Sequence, residues 1–174
     1  MAIDDVGQIH DPADIIVVPD LSPFELVALA RKRLQPTRFD PEFLGWNFIR
    51  GSSGRVVEVR TRCFEVVTWT PKRRVETPEI IDQFRRLGAD GNTGVFLSWI
   101  TQKKPSGYLA TIPSKDFCYR DLASKSDKIC IPYFYNDAGN CLLTLDDFTG
   151  TWSDDWTLVA CREVTAPFSS TLRL

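Results

Sequence analysis

Two adjacent pairs of aspartates, Asp146-Asp147 and Asp154-Asp155, bracket the segment Phe148-Thr149-Gly150-Thr151-Trp152-Ser153. Paired carboxylates suit hard cations such as Mg²⁺ or Ca²⁺, which favour oxygen ligands. Asp, Thr, Gly and Ser are equally the residues with which an ordinary loop satisfies its own backbone, and this spacing matches no established metal loop. A second acidic set, Asp40, Glu58 and Glu65 with Lys72, holds the residue types of a metal-dependent nuclease or phosphodiesterase, where convergent carboxylates carry the ions. Charged residues on strands are far more often cross-strand ion pairs than metal ligands. A third set is basic and aromatic: Arg50, Arg60, Arg62 and Arg73 are interleaved with Trp46 and Trp69. On a sheet such side chains can stack bases and hold phosphates, or face an acidic protein; the bland alternative is a solvated row of ion pairs.

The strong catalytic signatures are absent. The chain has no Gly-x-Gly-x-x-Gly, no Gly-Lys-Ser/Thr phosphate loop, no Gly-x-Ser-x-Gly elbow and no Cys/His metal spacing. The single histidine, His10, sits in an acidic lead-in, so a serine or cysteine nucleophile lacks its usual imidazole base. The five cysteines (Cys63, Cys118, Cys130, Cys141 and Cys161) are an odd number without a Cys-x-x-Cys pair, which fits reduced thiols in a cytoplasmic protein. No cofactor is called for, and a catalyst is the less favoured expectation.

Charge is unevenly spread. The net charge is −2, yet residues 50–104 carry +5 between flanks of −4 and −3. A positive excess gathered in the middle of a slightly acidic chain points to an anionic partner, either an acidic protein or single-stranded nucleic acid. No apolar run approaches the ~20 residues of a membrane span, so no membrane partner is expected.

The elements that must position these residues centre on Arg55–Trp69, which is rich in β-branched residues and free of Gly and Pro. Val57, Val59, Thr61 and Cys63 alternate with Glu58, Arg60 and Arg62, and then the apolar side switches to Phe64 and Val66. A bulge at Cys63–Glu65 would return the apolar groups to one face and bend the strand. Phe43–Arg50 reads as a strand joined to this ribbon by the Gly51-Ser52-Ser53-Gly54 turn. Ser22-Pro23-Phe24-Glu25 opens a helix by a capping box, with Phe24, Val27, Ala28 and Leu34 as its apolar stripe. Thr77-Pro78 opens a second helix, closed by Gly88. Val95–Ile100, apolar on both faces, reads as a central covered strand. Tyr108–Ile112, a hairpin of Ile129–Tyr135 with Cys141–Leu145 and Pro132 at an edge, and Trp156–Val164 complete the strands.

The expected fold is α+β: a strongly curved, mostly antiparallel sheet of about eight strands with two helices packed on it. The 174 residues suit a single domain, 1–174, with 1–14 and 166–174 flexible. The expected function is non-enzymatic binding of an acidic protein or nucleic acid through the basic and aromatic surface. The alternatives are the nuclease set above and a carrier of small apolar ligands. A flat exposed basic-aromatic face, clustered carboxylates with metal, or a pocket between sheet and helix would separate the three.

Overall fold

The strand β5 (Arg62–Pro71) is where two hydrophobic cores meet, and the computed structural model of the protein is best followed outward from it. The structure describes residues 6–10, 14–18, 21, 23–39, 48–50, 62–113, 117–120 and 129–164. Ahead of β5 come β1 (Gly7–Ile9), β2 (Asp14–Val18), helix α1 (Pro23–Leu34), β3 (Arg38–Phe39) and β4 (Phe48–Arg50). After it come β6 (Val75–Glu76), helix α2 (Thr77–Arg86), helix α3 (Thr93–Lys103), β7 (Gly107–Thr111) and β8 (Phe117–Arg120). The chain continues through β9 (Ile129–Asp137), β10 (Asn140–Asp147), β11 (Thr151–Trp152) and β12 (Trp156–Val164).

Ten strands form one sheet in the order β1-β5-β12-β7-β9-β10-β3, with β2 beside β5, and β8 joining β4 to β9. β6 and β11 pair separately. The sheet is mostly antiparallel, with parallel pairs β7–β12 and β3–β10, and it is not strongly curved. The expected curvature rested on a bulge that β5 does not have. Its register runs unbroken on both sides, from Val17↔Cys63 to Ile15↔Glu65 against β2 and from Val164↔Cys63 to Arg162↔Glu65 against β12. The apolar side switches for another reason. Phe64 and Val66 enter one core, while Val67 and Trp69 enter another on the opposite face. β7 and β12 divide in the same way: Leu109, Val159 and Cys161 against Ala110, Leu158 and Ala160.

The first core lies under α3, which is buried nearly all round, with α1 packed against it. This corrects the strand expected at Val95–Ile100. A run apolar on every side does not reveal its period, and the deciding signal was the flanking Asn92, whose side chain accepts the Val95 N–H at 3.1 Å. Lys104, in the left-handed region at φ 48°, closes the helix. In α1, Leu26, Val27 and Ala30 are buried and Ala28 is exposed; Ser22 lies outside the described residues.

The second core lies under α2 and the β6–β11 pair, around Trp69, Phe84, Val75 and Trp152. Thr77 is the first residue of α2 and not its cap, which is Glu76 without a side-chain bond. The Thr77 hydroxyl is used elsewhere, donating to the Gly150 carbonyl and accepting from Trp152 Nε1 at 3.1 Å.

In the lead-in, Val6 is buried, β1 pairs with β5, and His10 Nε2 lies 2.8 Å from Thr70 Oγ1. Two further expectations change. Among the described residues β4 pairs with β8 and not with the ribbon. Pro132 is buried inside the sheet and not at an edge. Pairing to β8 ends at Cys130 and pairing to β7 begins at Tyr133, so no ladder pair on that side needs its missing N–H.

Candidate functional site

Of the residues expected to form a basic and aromatic surface, the three whose side chains the structure describes, Arg62, Trp69 and Arg73, do not form one. Trp69 is fully buried, edge-on to Phe84 at 6.2 Å, and a Cβ on Gly7 would fall 2.0 Å from its ring. Arg62 and Arg73 stand beyond opposite ends of the Cys63–Pro71 stretch. Arg62 lies over the Phe64 ring at 5.3 Å and pairs with Glu163; Arg73 pairs with Glu79 at 2.6 Å. Trp46 and Arg60 lie outside the described residues, and Arg50 is described only as backbone in β4.

Of the nuclease set, the two described members, Glu65 and Lys72, stand apart. Glu65 meets Arg162, its partner in register on β12, by a two-pronged contact that holds its carboxyl below the usual range. Lys72 stands seven residues further on, roughly 23 Å along a strand. Asp40 and Glu58 lie outside the described residues. Three of the four aspartates proposed as metal ligands accept hydrogen bonds within their own turns. Asp146 accepts the Asp147 N–H at 2.8 Å, Asp147 accepts from Thr149 at 3.1 Å, and Asp155 from Ser153 at 3.2 Å. Among the described residues no three His, Cys, Asp or Glu side chains group to hold a metal ion.

The structure instead brings together residues that the sequence reading left apart. A cleft of about 360 Å³ opens on the sheet face that carries the second core, lined by Tyr108, Tyr133, Tyr135, Trp152 and Trp156 together with Asp146 and Asp147. Sheet register builds it. Trp156, Tyr108, Tyr135 and Leu142 are successive partners across β12, β7, β9 and β10. The next row is Leu158, Ala110, Tyr133 and Thr144, in which the small side chain of Ala110 leaves room beside the Tyr133 ring. Side chains two residues apart on a strand share a face, so the two rows stand side by side.

The rings are locked to one another. Tyr108 and Tyr135 stack at 4.3 Å between centroids, and Tyr108 meets Trp156 at 5.3 Å. Tyr133 and Trp152 are nearly parallel, 9° apart at 5.8 Å, and Trp156 stands at 80° and 82° to them. Offset and edge-to-face contacts of this kind are the favoured aromatic geometries. The Tyr133 hydroxyl donates to the Asp147 carbonyl at 2.9 Å. Burial, followed by the nearby Asp146 and Asp147, pushes its ionisation well above the ordinary phenol value, so it remains a neutral donor. Among the described residues no Lys, Arg or His lines the cleft, and the charged groups that do are Asp146, exposed, and Asp147, half-buried.

The signal for this site was present in the alternation Tyr133-x-Tyr135 within an otherwise apolar strand. Tyr108 and Trp156 gave no such signal, because only strand order makes them neighbours. Comparison with protein-family models, curated proteins and solved structures found no match.

Proposed function

We propose that the protein is a non-enzymatic binding protein whose ligand site is the aromatic cleft of the sheet. The supporting observation is the wall of four rings, Trp156, Tyr108, Tyr135 and Tyr133, built by register across β12, β7 and β9 beside the buried Trp152 of β11, with Tyr108 left 45% exposed where Trp69, Phe84, Phe96 and Phe134 are buried almost completely. Ring faces left half-open beside a few polar groups are how small-ligand sites are made, and about 360 Å³ falls at the small end of such sites. It is nearest to the carrier alternative expected from the sequence, but the site is an open cleft with a polar rim on the sheet face and not an apolar interior between sheet and helix.

The test is a small-fragment screen by saturation-transfer NMR against the wild-type protein and Tyr135→Ala. Binding fragments whose signal falls at least fivefold in the variant support the reading. A screen without binders, or binders indifferent to the substitution, defeats it.

An anionic partner is a second reading, favoured by the exposed turn Lys72-Arg73-Arg74 and the +5 charge of residues 50–104. Its test is the salt dependence of partner capture, which must be steep if phosphate counterions are released. Nuclease treatment separates nucleic acid from acidic protein.

A further inference from the structure

We infer that the protein binds single-stranded nucleic acid along a basic strip where the C-terminal ends of α1 and α3 meet the β9–β10 hairpin and the strand β3. The inference rests on the reading of an anionic partner, to which it gives a surface and a class, and it is independent of the cleft. Three observations carry it.

The first is convergence. Arg31, Lys32 and Arg33 close α1, Arg38 lies in β3 and Lys104 ends α3, and all five are exposed. Distant in the chain, they are drawn to one end of the hairpin. Thr37 Oγ1 donates to the Cys141 carbonyl at 2.8 Å, Arg38 is the register partner of Leu142, and Arg31 lies 5.0 Å over the Phe39 ring. From the other side, the Asn136 side chain, opposite Cys141, donates at 3.1 Å to the carbonyl of Pro105, next to Lys104. Asp137 ends β9 and Asp40 follows Phe39 in the chain, and cations stay in excess after both are counted. The negative ends of the two helix dipoles amount to roughly −0.5 charge each, too little to call for five cations.

The second is the backbone. Gln35 and Lys104 end the two helices in the left-handed region, φ 48° at each, with their N–H groups on the Arg31 and Ile100 carbonyls at 3.1 and 2.9 Å. Glycine is the ordinary residue at such a helix end. At Lys104 the fold carries that strain and has a cation at the corner, and strain of this kind gathers at functional positions.

The third is shape. Among the described residues β3 is the last strand in the sheet order; Arg38 shares the face of Leu142, and Phe39, under Arg31, shares that of Leu143. The charges therefore run round an edge from one face of the sheet to the other. A single strand can bend round such an edge, whereas a duplex, stiff over about 150 base pairs, meets one side of it. The apolar side chains between the cations, Leu34, Phe39 and Cys141, pack inward on the first core. A protein partner needs an apolar centre to its interface, while phosphates are held by charge alone.

The experiment is a fluorescence-anisotropy titration with a labelled oligothymidylate of about 15 nucleotides, within the range of single-strand sites, and with an oligoglutamate of equal charge. The oligothymidylate should bind at least ~10-fold more tightly, and raising salt from about 50 to 200 mM should weaken it about 100-fold, as expected for about five phosphates. Lys104→Gly should melt no lower than the wild type, since glycine suits φ 48°, and should bind about fivefold more weakly. Arg38→Ala, outside both helices, should weaken binding by a similar factor. A lower melt for Lys104→Gly with unchanged binding would make its charge a helix-end counter-charge and overturn the assignment. A loss at Arg73→Ala, in the Lys72-Arg73-Arg74 turn, with none at Arg38→Ala or Lys104→Gly would keep an anionic partner and overturn this surface. Tighter binding of the oligoglutamate overturns the nucleic-acid class, and binding of neither probe defeats the anionic reading with it.

Discussion

The two faces of the sheet are built from the same strands and finished differently. One is closed: α3 is buried on nearly every side, α1 packs on it, and Phe134, Leu109, Val159 and Leu143 below are each at most 2% exposed. The other is covered by α2 and the short β6–β11 pair over Trp69 and Leu158, and toward β9 and β10 it gives way to half-open rings and aspartates. Adjacent residues of β10 show the contrast: Leu143 is buried in the closed core, and Thr144 lines the cleft. The closed face spends its aromatic surface on stability, and the open one keeps part of it for contact with something else.

Substitutions should separate the two roles, and the largest effect belongs to the closed face. Phe134→Ala should cost about 3–5 kcal/mol in denaturant melts, by lost burial and an unfilled cavity. Tyr135→Ala, its neighbour, should cost about 1 kcal/mol or less while abolishing fragment binding. Equal losses of stability would show that the cleft face is as much a core as the other.

Next in size is Gly7→Ala. The added methyl would fall on the Trp69 ring, and overpacking of this kind costs about 1–3 kcal/mol. The loss should appear in thermal melts without a change in ligand binding, since Trp69 does not line the cleft. Asn92→Ala should then cost about 1 kcal/mol by leaving the Val95 N–H without its acceptor. An unchanged melt would remove the reason given for a helix at Thr93–Lys103.

The smallest expected effect is on pH dependence. Arg162 holds the Glu65 carboxyl, and Arg62 that of Glu163, below the ordinary 4.5. Depressed carboxyls contribute stability above the unfolded value and lose it as pH falls through the folded one. Stability should therefore decline from about pH 4.5 downward, and Arg162→Ala should shrink the decline. Both pairs are well exposed, so the change is modest. The cysteines give a parallel check: burial pushes the Cys161 thiol up to about 12, so a thiol reagent at pH 8 should leave it unmodified until the chain unfolds.

Much of this architecture was legible where local chemistry decides it. The bounds of β12 and the β9–β10 hairpin follow from alternation and the Asn136–Asn140 turn, and α2 from Thr77-Pro78 and Gly88. The helix α3 was not, because Val95–Ile100 is apolar at every position and its period is hidden. The switch of faces in β5 was seen but assigned to a bulge, since one strand's sequence does not show that the sheet is covered on both sides. Charge did not point to the cleft: Arg62, Arg73 and Glu65 stood out in the sequence and are engaged in surface pairs away from it. Tyr108, Tyr133, Tyr135 and Trp156 come from three strands, and their meeting depends on strand order, which no local spacing encodes.

The most direct test of a closed and an open face is the ¹⁵N-indole spectrum of the protein during titration with a fragment that binds in the saturation-transfer screen. Trp156 and Trp152 line the cleft, whereas Trp69 and Trp99 are buried away from it, the latter donating to Asp14 at 2.8 Å. The account predicts that the Trp156 and Trp152 signals move with a common saturation curve while those of Trp69 and Trp99 stay fixed. Saturable shifts at Trp69 or Trp99 with Trp156 unmoved would contradict it.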